Sequence, residues 1–154
     1  MELYRCAKCR FIQDLSGEGA FRYGGRWNSK GVRMVYTASN PSLALLETLV
    51  HTVSLVPEID YCLLKMENNQ DSVQVKEVST LPADWSATPA PDHLKSIGDA
   101  FIAEGKFLIL KVPSAILSME WNFLINPGHP LFTKMKIYPV NRVIIDRRLL
   151  ASNK

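Results

Sequence analysis

The most informative part of the chain reads Val32-Arg33-Met34-Val35-Tyr36-Thr37 and runs on into Ser39-Asn40-Pro41. The first segment is rich in β-branched and aromatic residues and follows Gly31, which is typical of a β-strand. Asn40 is a favoured residue type at a helix N-cap, and proline is favoured at the first helical position. These residues therefore predict a strand that passes through a short turn into a helix.

The predicted helix carries apolar residues at helical spacing, with one carboxylate among them. The stripe has spacings of three, four and three residues and comprises Leu43, Leu46, Val50 and Val53. Glu47 falls inside this stripe, one turn after Leu43. Burying an unpaired charge is costly, so this carboxylate needs a cation, hydrogen-bond donors or the mouth of a cleft. The pattern leaves two interpretations open: a structural ion pair with an arginine, or a site carboxylate.

The rest of the chain alternates irregularly between predicted strands and one further helix. We expect strands at residues 3–5, 61–66, 72–78 and 107–112, the last one central, and one or two more within 135–146. A second helix is predicted from about Asp92, with Gly105 as its stop. Residues 16–25 are interpreted as an ordered loop, 82–91 as a packed irregular connection and 125–130 as a turn. This predicts a single α+β domain over 1–154.

Composition and charge narrow the class of protein. The chain has 154 residues, 47% hydrophobic and 21% charged, as in an ordinary globular domain with one core. Its formal net charge of +3 is spread along the chain, which is a weak basis for nucleic-acid binding. No apolar run approaches the roughly 20 residues that cross a bilayer, and the N-terminus lacks an export signal. We expect a cytoplasmic protein that binds neither membrane nor nucleic acid directly.

The three cysteines are an odd count, which implies no closed disulfide framework and suits a reducing cytoplasm. Cys6 and Cys9 form a C-x-x-C pair, but the pattern supplies no two further ligands for tetrahedral zinc. We interpret them as small, half-buried side chains near a strand end, with zinc or redox chemistry as the alternative. The histidines, His51, His93 and His129, also lack metal-ligand spacing, so no metal site is predicted.

A basic, glycine-rich segment precedes the strand predicted at residues 32–37. It reads Arg22-Tyr23-Gly24-Gly25-Arg26-Trp27-Asn28-Ser29-Lys30-Gly31. Glycine lets a backbone approach a ligand closely, and arginine binds phosphate oxygens in pairs, so a nucleotide pyrophosphate is a suitable ligand. The P-loop pattern and the dinucleotide-binding G-x-G-x-x-G pattern are both absent. A plain turn remains the alternative.

Two further side chains could act beside the candidate carboxylate. Ser114 follows the apolar strand, where strand ends often open into a site. A nucleophilic serine would need a G-x-S-x-G elbow or an evident histidine base, so we interpret Ser114 as a hydrogen-bond donor or an N-cap. His51 lies one helical turn after Glu47 and could orient the carboxylate by a hydrogen bond.

Several segments occur in an order that resembles the RES domain family. They are Ser16-Gly17-Glu18-Gly19-Ala20, Gly24-Gly25-Arg26-Trp27-Asn28-Ser29-Lys30-Gly31, Val35-Tyr36-Thr37-Ala38, Ala44-Leu45-Leu46-Glu47-Thr48-Leu49-Val50-His51, Leu81-Pro82-Ala83-Asp84-Trp85, Val112-Pro113-Ser114, Asn122-Phe123-Leu124-Ile125-Asn126-Pro127-Gly128-His129-Pro130 and Asp146-Arg147-Arg148-Leu149. The resemblance covers nearly the whole chain. Each segment alone is unspecific, but their combination is specific.

This resemblance implies an ADP-ribosyltransferase-like fold of mixed sheets with a cleft and a few flanking helices. It also implies NAD+ as the substrate, no cofactor, and a protein partner, an antitoxin with an Xre-type DNA-binding domain. The arginine, glutamate and serine of the family name correspond to Arg26, Glu47 and Ser114. Further expected site residues are Tyr36, which joins Arg26 and Glu47 in the catalytic set, and Arg5 and Asn28, which are expected to contact NAD+.

The residue types suit this chemistry. The nicotinamide of NAD+ is already cationic, so its departure needs little acid help, and one carboxylate can stabilise the oxocarbenium-like ribose. We hypothesise that Glu47 holds the ribose hydroxyls and stabilises the developing charge, and that Tyr36 stacks on the nicotinamide ring. Arg26 would hold the pyrophosphate, and Ser114 would bind the ribose or the nicotinamide amide.

The favoured interpretation is a bacterial toxin that degrades NAD+ by hydrolysis or phosphorolysis and is neutralised by the antitoxin. One alternative is a mono-ADP-ribosyltransferase that modifies a host protein, and a second is a non-catalytic binding module. The residues do not identify the acceptor of the ADP-ribose group. Assembly into a homo-oligomer also remains open.

Overall fold

The computed structural model describes residues 1–51 and 60–150, and a mixed sheet lies at its centre. Within these residues the sheet has eight strands: β1 (Glu2–Lys8), β2 (Val35–Ala38), β3 (Tyr61–Glu67), β4 (Val73–Val75), β5 (Ile109–Pro113), β6 (Trp121–Ile125), β7 (Lys136–Ile137) and β8 (Asn141–Arg142). Their order is β4-β5-β6-β2-β1-β3-β7, and β8 also pairs with β3. Neighbours are antiparallel except β4 and β5, which are parallel.

Three α-helices accompany this sheet in the described part of the chain: α1 (Glu18–Tyr23), α2 (Pro41–Leu49) and α3 (Lys95–Glu104). The start of α2 is confirmed, because the Asn40 side chain accepts a hydrogen bond from the Leu43 amide at 2.9 Å. The stop of α3 is also confirmed, because Gly105 takes the left-handed conformation, with φ of 57°. A mixed sheet with few helices confirms the predicted α+β class.

Alternate residues of the strands enter two apolar clusters on opposite faces of the sheet. Ile109 and Ile125 belong to the first cluster, while Leu110 and Leu124 belong to the second. The second cluster is covered by α3 and by the irregular connection at residues 82–91, which is packed as predicted, with Trp85 buried. A third, small cluster of Ala38, Leu43 and Ala44 fixes α2 on the sheet.

The sheet is divided between β1 and β2. These strands share a single residue pair, Tyr4 with Ala38, whereas β1 pairs with β3 over seven residues and β2 with β6 over four. Beyond the pair, the backbone of β1 no longer follows β2. The gap between the two halves of the sheet is where a ligand can enter.

Some predicted elements differ from the structure. Residues 16–25 contain α1 rather than only a loop, because Gly17 and Gly24, with φ of 73° and 71°, flank the helix instead of interrupting it. Within α1, Glu18 and Arg22 form an ion pair one turn apart at 2.7 Å. The strand predicted at 72–78 is shorter, and the one predicted at 32–37 is β2 at Val35–Ala38. β6 is not predicted from the sequence, because its apolar residues run directly into the turn at 125–130.

The predicted apolar stripe of α2 is wrong. Leu43 is buried, but Leu46 and Val50 are 38% and 47% exposed, and Val53 lies outside the described residues. The buried side of the helix is formed by Leu43 and Ala44, since these residues face Ala38 on the sheet. Glu47 is half-buried at the border of this side, next to the cleft.

The cysteine interpretation also needs correction. Cys9 forms a disulfide with Cys62, which joins the end of β1 to the start of β3, and Cys6 is a free, half-buried thiol. The C-x-x-C pair therefore does not act as a unit. The described residues include no helix of the length and apolarity that crossing a membrane requires.

Candidate active site

A cleft of about 830 Å³ opens at the gap between β1 and β2. Its walls are formed by β1 from Tyr4 to Ala7, by β2 from Tyr36 to Ala38, by residues 17–27, and by one side of α2. Asn122 of β6 also lines it. Four of the residues predicted from the sequence line this cleft: Arg5, Arg26, Tyr36 and Glu47.

The Glu47 carboxylate is held by two neutral donors. Its Oε1 atom accepts a hydrogen bond from Ser114 Oγ at 2.8 Å and another from Asn122 Nδ2 at 2.5 Å. Oε2 has no hydrogen-bond partner among the described residues, and within them Glu47 makes no ion pair. The interpretation as a structural ion pair with an arginine is therefore not supported. The carboxylate is oriented through one oxygen, and the other remains available to a ligand.

Ser114 is a hydrogen-bond donor, one of the two roles that the sequence left open; it is not an N-cap, because residues 115–120 form a turn rather than a helix. Its side chain is fully buried, and Oγ accepts hydrogen bonds from the amides of Ile116 and Leu117 at 3.1 and 3.2 Å within this turn. The hydroxyl proton is donated to Glu47. With its hydroxyl used in this way, Ser114 orients the carboxylate from behind and is not set up as a nucleophile.

Asn122 is the site residue that sequence analysis missed. It lies on β6 opposite Ala38 of β2 and Val112 of β5. Pairing with these two strands positions Asn122 next to Glu47. Its Oδ1 atom is buried and has no partner among the described residues. The sequence gives only a weak signal for this role, because Asn122 is a single amide within a run of large apolar residues. The sequence also does not predict β6, the strand that carries Asn122.

Arg26 is anchored by one nitrogen. Nη1 donates to the carbonyl oxygens of Trp85 and Ala87 at 2.9 and 3.1 Å, whereas Nε and Nη2 have no partner among the described residues. Burial lowers the pKa of Arg26, and the charge of Glu47 opposes this shift, which places the two groups within electrostatic reach of each other. The free Nε and Nη2 edge is the one that binds two oxygens at once.

Tyr36 connects β2 to residues 25–29, which carry Arg26 and are called the Arg26 segment below. Its hydroxyl donates to Asn28 Oδ1 at 2.7 Å and accepts from the Trp27 amide at 3.1 Å. Burial raises the pKa of Tyr36 above its ordinary value, so the hydroxyl stays protonated and keeps its hydrogen bond. A Cβ at Gly25 would lie 2.5 Å from the Tyr36 hydroxyl oxygen, so this close approach requires glycine. Tyr36 therefore lines the cleft, and its hydroxyl group forms hydrogen bonds with residues 27 and 28.

Asn28 does not lie where a ligand contact was expected. It is fully buried and absent from the cleft wall. Its amide nitrogen donates to three carbonyl oxygens, those of Ala20, Ser29 and Val32, each at 3.0 Å. With its oxygen bonded to Tyr36, the side chain is saturated and organises the loop from the inside.

Arg5 reaches the cleft from the other half of the sheet. Its Nε atom is buried without a partner in the described residues. Burial lowers the pKa of Arg5, and the nearby Asp14 opposes the shift. A largely desolvated guanidinium without a full set of acceptors is costly, so an anionic ligand would stabilise it. Arg22 differs, because Glu18 already pairs with it. His51 lines the cleft, but in the described structure it does not form the predicted hydrogen bond with Glu47.

The sequence pattern of the RES domain family matches residues 2–147. The chain belongs to the RES domain family. This RES domain is 39% identical over 140 residues to the Prs ADP-ribosylating toxin of Sphingobium sp. (strain YBL2), which covers 89% of this chain and 87% of that protein. It is 36% identical over 157 residues to Toxin Res of Photorhabdus laumondii subsp. laumondii, and this match covers 100% of both chains.

Among solved structures, the RES domain resembles a chain in the crystal structure of the M. tuberculosis MbcT-MbcA toxin-antitoxin complex. The TM-score is 0.76 at 18% identity, over 92% of this chain and 83% of that one. At this identity the likeness concerns the fold. The predicted family and ADP-ribosyltransferase-like fold are confirmed, and the names of the relatives assign the protein to the bacterial toxins of this family.

The geometry of the RES domain brings the three residues of the family name into one arrangement. Ser114 contacts Glu47 directly, and Arg26 lies within electrostatic reach of the same carboxylate. Tyr36 holds the backbone next to Arg26. The result is a cleft lined by one oriented carboxylate, one half-buried tyrosine, Arg5, and an Arg26 whose Nε and Nη2 have no partner in the described part of the chain.

Proposed function

We propose that this RES toxin cleaves the bond between nicotinamide and ribose in NAD+. The observation that carries the proposal is the Glu47 carboxylate at a cleft of about 830 Å³: Ser114 and Asn122 fix it through Oε1, and Oε2 has no hydrogen-bond partner in residues 1–51 and 60–150. An oriented carboxylate without a counter-cation can stabilise positive charge that develops on a bound substrate.

The reaction needs few protein groups. The bond between ribose C1′ and the pyridinium nitrogen breaks, its electron pair goes to the nitrogen, and neutral nicotinamide leaves. The ribose passes through an oxocarbenium-like state, whose positive charge Glu47 Oε2 would stabilise. Water, which loses a proton to solvent, or inorganic phosphate then forms a new bond to C1′, giving ADP-ribose or ADP-ribose phosphorylated at C1′. Tyr36, protonated and tied to Asn28, acts through its ring against nicotinamide rather than as an acid or base.

Two arginines, Arg26 and Arg5, would bind the pyrophosphate of the dinucleotide. Arg26 offers its Nε and Nη2 edge to the pyrophosphate, since Nη1 is already used by backbone carbonyl oxygens. Arg5, on β1, lines the same cleft, and its buried Nε has no partner within the described residues. An anion between them would relieve the desolvation of both guanidinium groups. Ser114 and Asn28, which are buried behind the cleft, position Glu47 and the Arg26 loop.

Toxicity would then follow from loss of NAD+ in the bacterial cytoplasm, and a cognate Xre-type antitoxin would neutralise the protein. The family membership supports this partner, and the fold relative was crystallised as a toxin-antitoxin complex.

A second candidate function is transfer of ADP-ribose to a protein. The Sphingobium relative, named as an ADP-ribosylating toxin, favours it. The same bond breaks in both reactions, and only the acceptor at C1′ differs.

Purified protein incubated with NAD+ tests both candidates. Free nicotinamide should appear, and chromatography of the second product separates ADP-ribose from its phosphate ester when phosphate is present or absent. Incubation with a cell extract and biotinylated NAD+ detects transfer to protein. Absence of nicotinamide from every mixture would refute the proposal, whereas labelled protein would select the second candidate.

A further inference from the structure

The backbone that carries Arg26 is pressed against α3. At Gly98, in the first half of that helix, an added Cβ would lie 1.8 Å from the carbonyl oxygen of Trp27. Such a distance is far inside van der Waals contact, so the helix and the segment touch backbone to backbone. Trp27 itself is buried in the cluster that α3 covers. The residue next to Arg26 is therefore fixed by the helix surface.

The following residue of α3 fixes the other end of the same segment. Asp99 Oδ1 accepts a hydrogen bond from the Ser29 amide at 2.9 Å. Asp99 does not belong to the wall of the cleft; it faces a second groove on the other side of the segment, together with Val32 and Ile102. A carboxylate bound to a backbone amide makes a charge-assisted hydrogen bond, which is stronger than a neutral one.

These contacts leave Arg26 little freedom. On its N-terminal side, Gly25 lies against the Tyr36 hydroxyl, and on its C-terminal side Trp27 and Ser29 are held by α3. The guanidinium is held separately through Nη1 by the carbonyl oxygens of the 85–87 segment. The only part of Arg26 that remains uncommitted in the described structure is the edge formed by Nε and Nη2.

We propose that Asp99 is a positioning residue, which holds the Arg26 segment so that the free guanidinium edge meets the pyrophosphate of the dinucleotide. This inference rests on the proposed function for its ligand. No residue of α3 lines the cleft. In this proposal α3 nevertheless affects the affinity for the substrate, because it positions Arg26. Asp99 does not touch the substrate.

The test compares Asp99→Ala with Asp99→Asn, whose amide oxygen can still accept from the Ser29 amide. Asp99→Ala should raise the KM for NAD+ about tenfold, as expected for loss of a charge-assisted bond, and change kcat less than about twofold. Asp99→Asn should remain near the parent. The matched control is Glu104→Ala, which removes an exposed carboxylate from the same helix. An equal rise in KM for the control and for Asp99→Ala would overturn the proposal.

A double-mutant cycle separates positioning from a general loss of stability. If Asp99 acts through Arg26, Asp99→Ala should change the affinity for NAD+ less than about twofold once Arg26 is alanine. A full tenfold effect in that background would overturn the proposal. Gly98→Ala offers an independent disturbance of the same contact and should also raise KM, but Asp99 decides the matter if that variant does not fold.

Hydrogen exchange gives a readout that does not depend on catalysis. The Ser29 amide should exchange faster in Asp99→Ala than in the parent and in Asp99→Asn, and unchanged protection would refute the positioning role. If the parent neither binds nor cleaves NAD+, the proposed function fails, while this comparison still decides whether Asp99 holds the segment.

Discussion

Glu47 is a half-buried carboxylate whose orientation comes from neutral groups, so its charge is available to a substrate. Glu47→Gln should lower the rate of nicotinamide release by at least about 10²-fold, because the amide cannot stabilise a sugar cation. The fold should survive, with a change below about 1 kcal/mol in the free energy of unfolding, since the amide oxygen can still accept from Ser114 and Asn122. Release of nicotinamide and a denaturant titration measure the two quantities.

Glu104→Gln is the control for this change, because Glu104 is exposed on α3 and should affect neither quantity. A Glu47→Gln protein that cleaves NAD+ at the parental rate would exclude the carboxylate from the reaction. One that unfolds at far lower denaturant would instead assign it a structural role.

Asn122 offers a prediction with a pH dependence. Asn122→Asp places a second carboxyl group where Nδ2 now lies 2.5 Å from Glu47 Oε1. The two groups would share a proton, which raises a pKa of the pair above that of the unfolded chain. The folded state then binds more protons than the unfolded state, so its stability falls as pH rises. Denaturant titrations at pH 5 and pH 8 should show a larger loss at pH 8.

The control is Asn141→Asp, which adds a charge at an exposed position of β8. Its loss of stability should be similar at both pH values. If Asn122→Asp shows the same small and pH-independent loss, the close contact between Asn122 and Glu47 is not present in solution.

At the scale of elements, α2 depends on its N-cap residue, Asn40. The Asn40 side chain accepts from the Leu43 amide at 2.9 Å, and its nitrogen donates to Glu120 Oε2 at 2.9 Å. Asn40→Ala should reduce the free energy of unfolding by about 1–2 kcal/mol, the usual cost of a lost cap. Asn141→Ala, at an exposed position, should change it by less than about 0.5 kcal/mol. Equal midpoints for the two variants in urea would show that the cap contributes nothing to stability.

The elements that sequence analysis predicted well have strong local signals. Asn40 and Pro41 mark the start of α2, and Gly105 marks the end of α3, because capping chemistry is decided by neighbouring residues. The exposed side of α2 was mistaken for its buried side, since Leu46 and Val50 have the same spacing from Leu43 that a core stripe would have. Only contact with the sheet at Ala38 distinguishes the two sides.

At the scale of the whole molecule, the site depends on connections that local patterns do not contain. Ser114 and Asn122 lie 67 and 75 residues after Glu47, and they meet it because β6 lies between β2 and β5. Since β6 was not predicted, the contact of Asn122 with Glu47 could not follow from the sequence. The resemblance to the RES family supplied Arg26, Glu47 and Ser114 as a set, but not the arrangement in which Ser114 lies behind the carboxylate.

The division of the sheet also predicts how a ligand acts on stability. Arg5 lies on β1 and Arg26 lies in the loop before β2, and these two strands share one residue pair, so a dinucleotide that contacts both arginines would connect the two halves of the sheet. At 100 times its dissociation constant, a ligand that binds only the folded state adds about 2.7 kcal/mol, or roughly 5–10 °C in Tm for a chain of this size. Glu47→Gln should show this shift with intact NAD+, because we expect this variant to cleave NAD+ far more slowly than the parent.

In the proposed binding mode nicotinamide alone would contact neither arginine and should give almost no shift in Tm, whereas ADP-ribose should retain most of the shift. Scanning calorimetry with each of the three ligands provides the comparison, and Arg5→Ala combined with Arg26→Ala should abolish the shift. A shift that persists in the double variant would mean that the dinucleotide binds elsewhere. If nicotinamide raised Tm as much as NAD+ does, the ligand would be bound only at the Glu47 end of the cleft. The pyrophosphate would then not connect the two halves of the sheet.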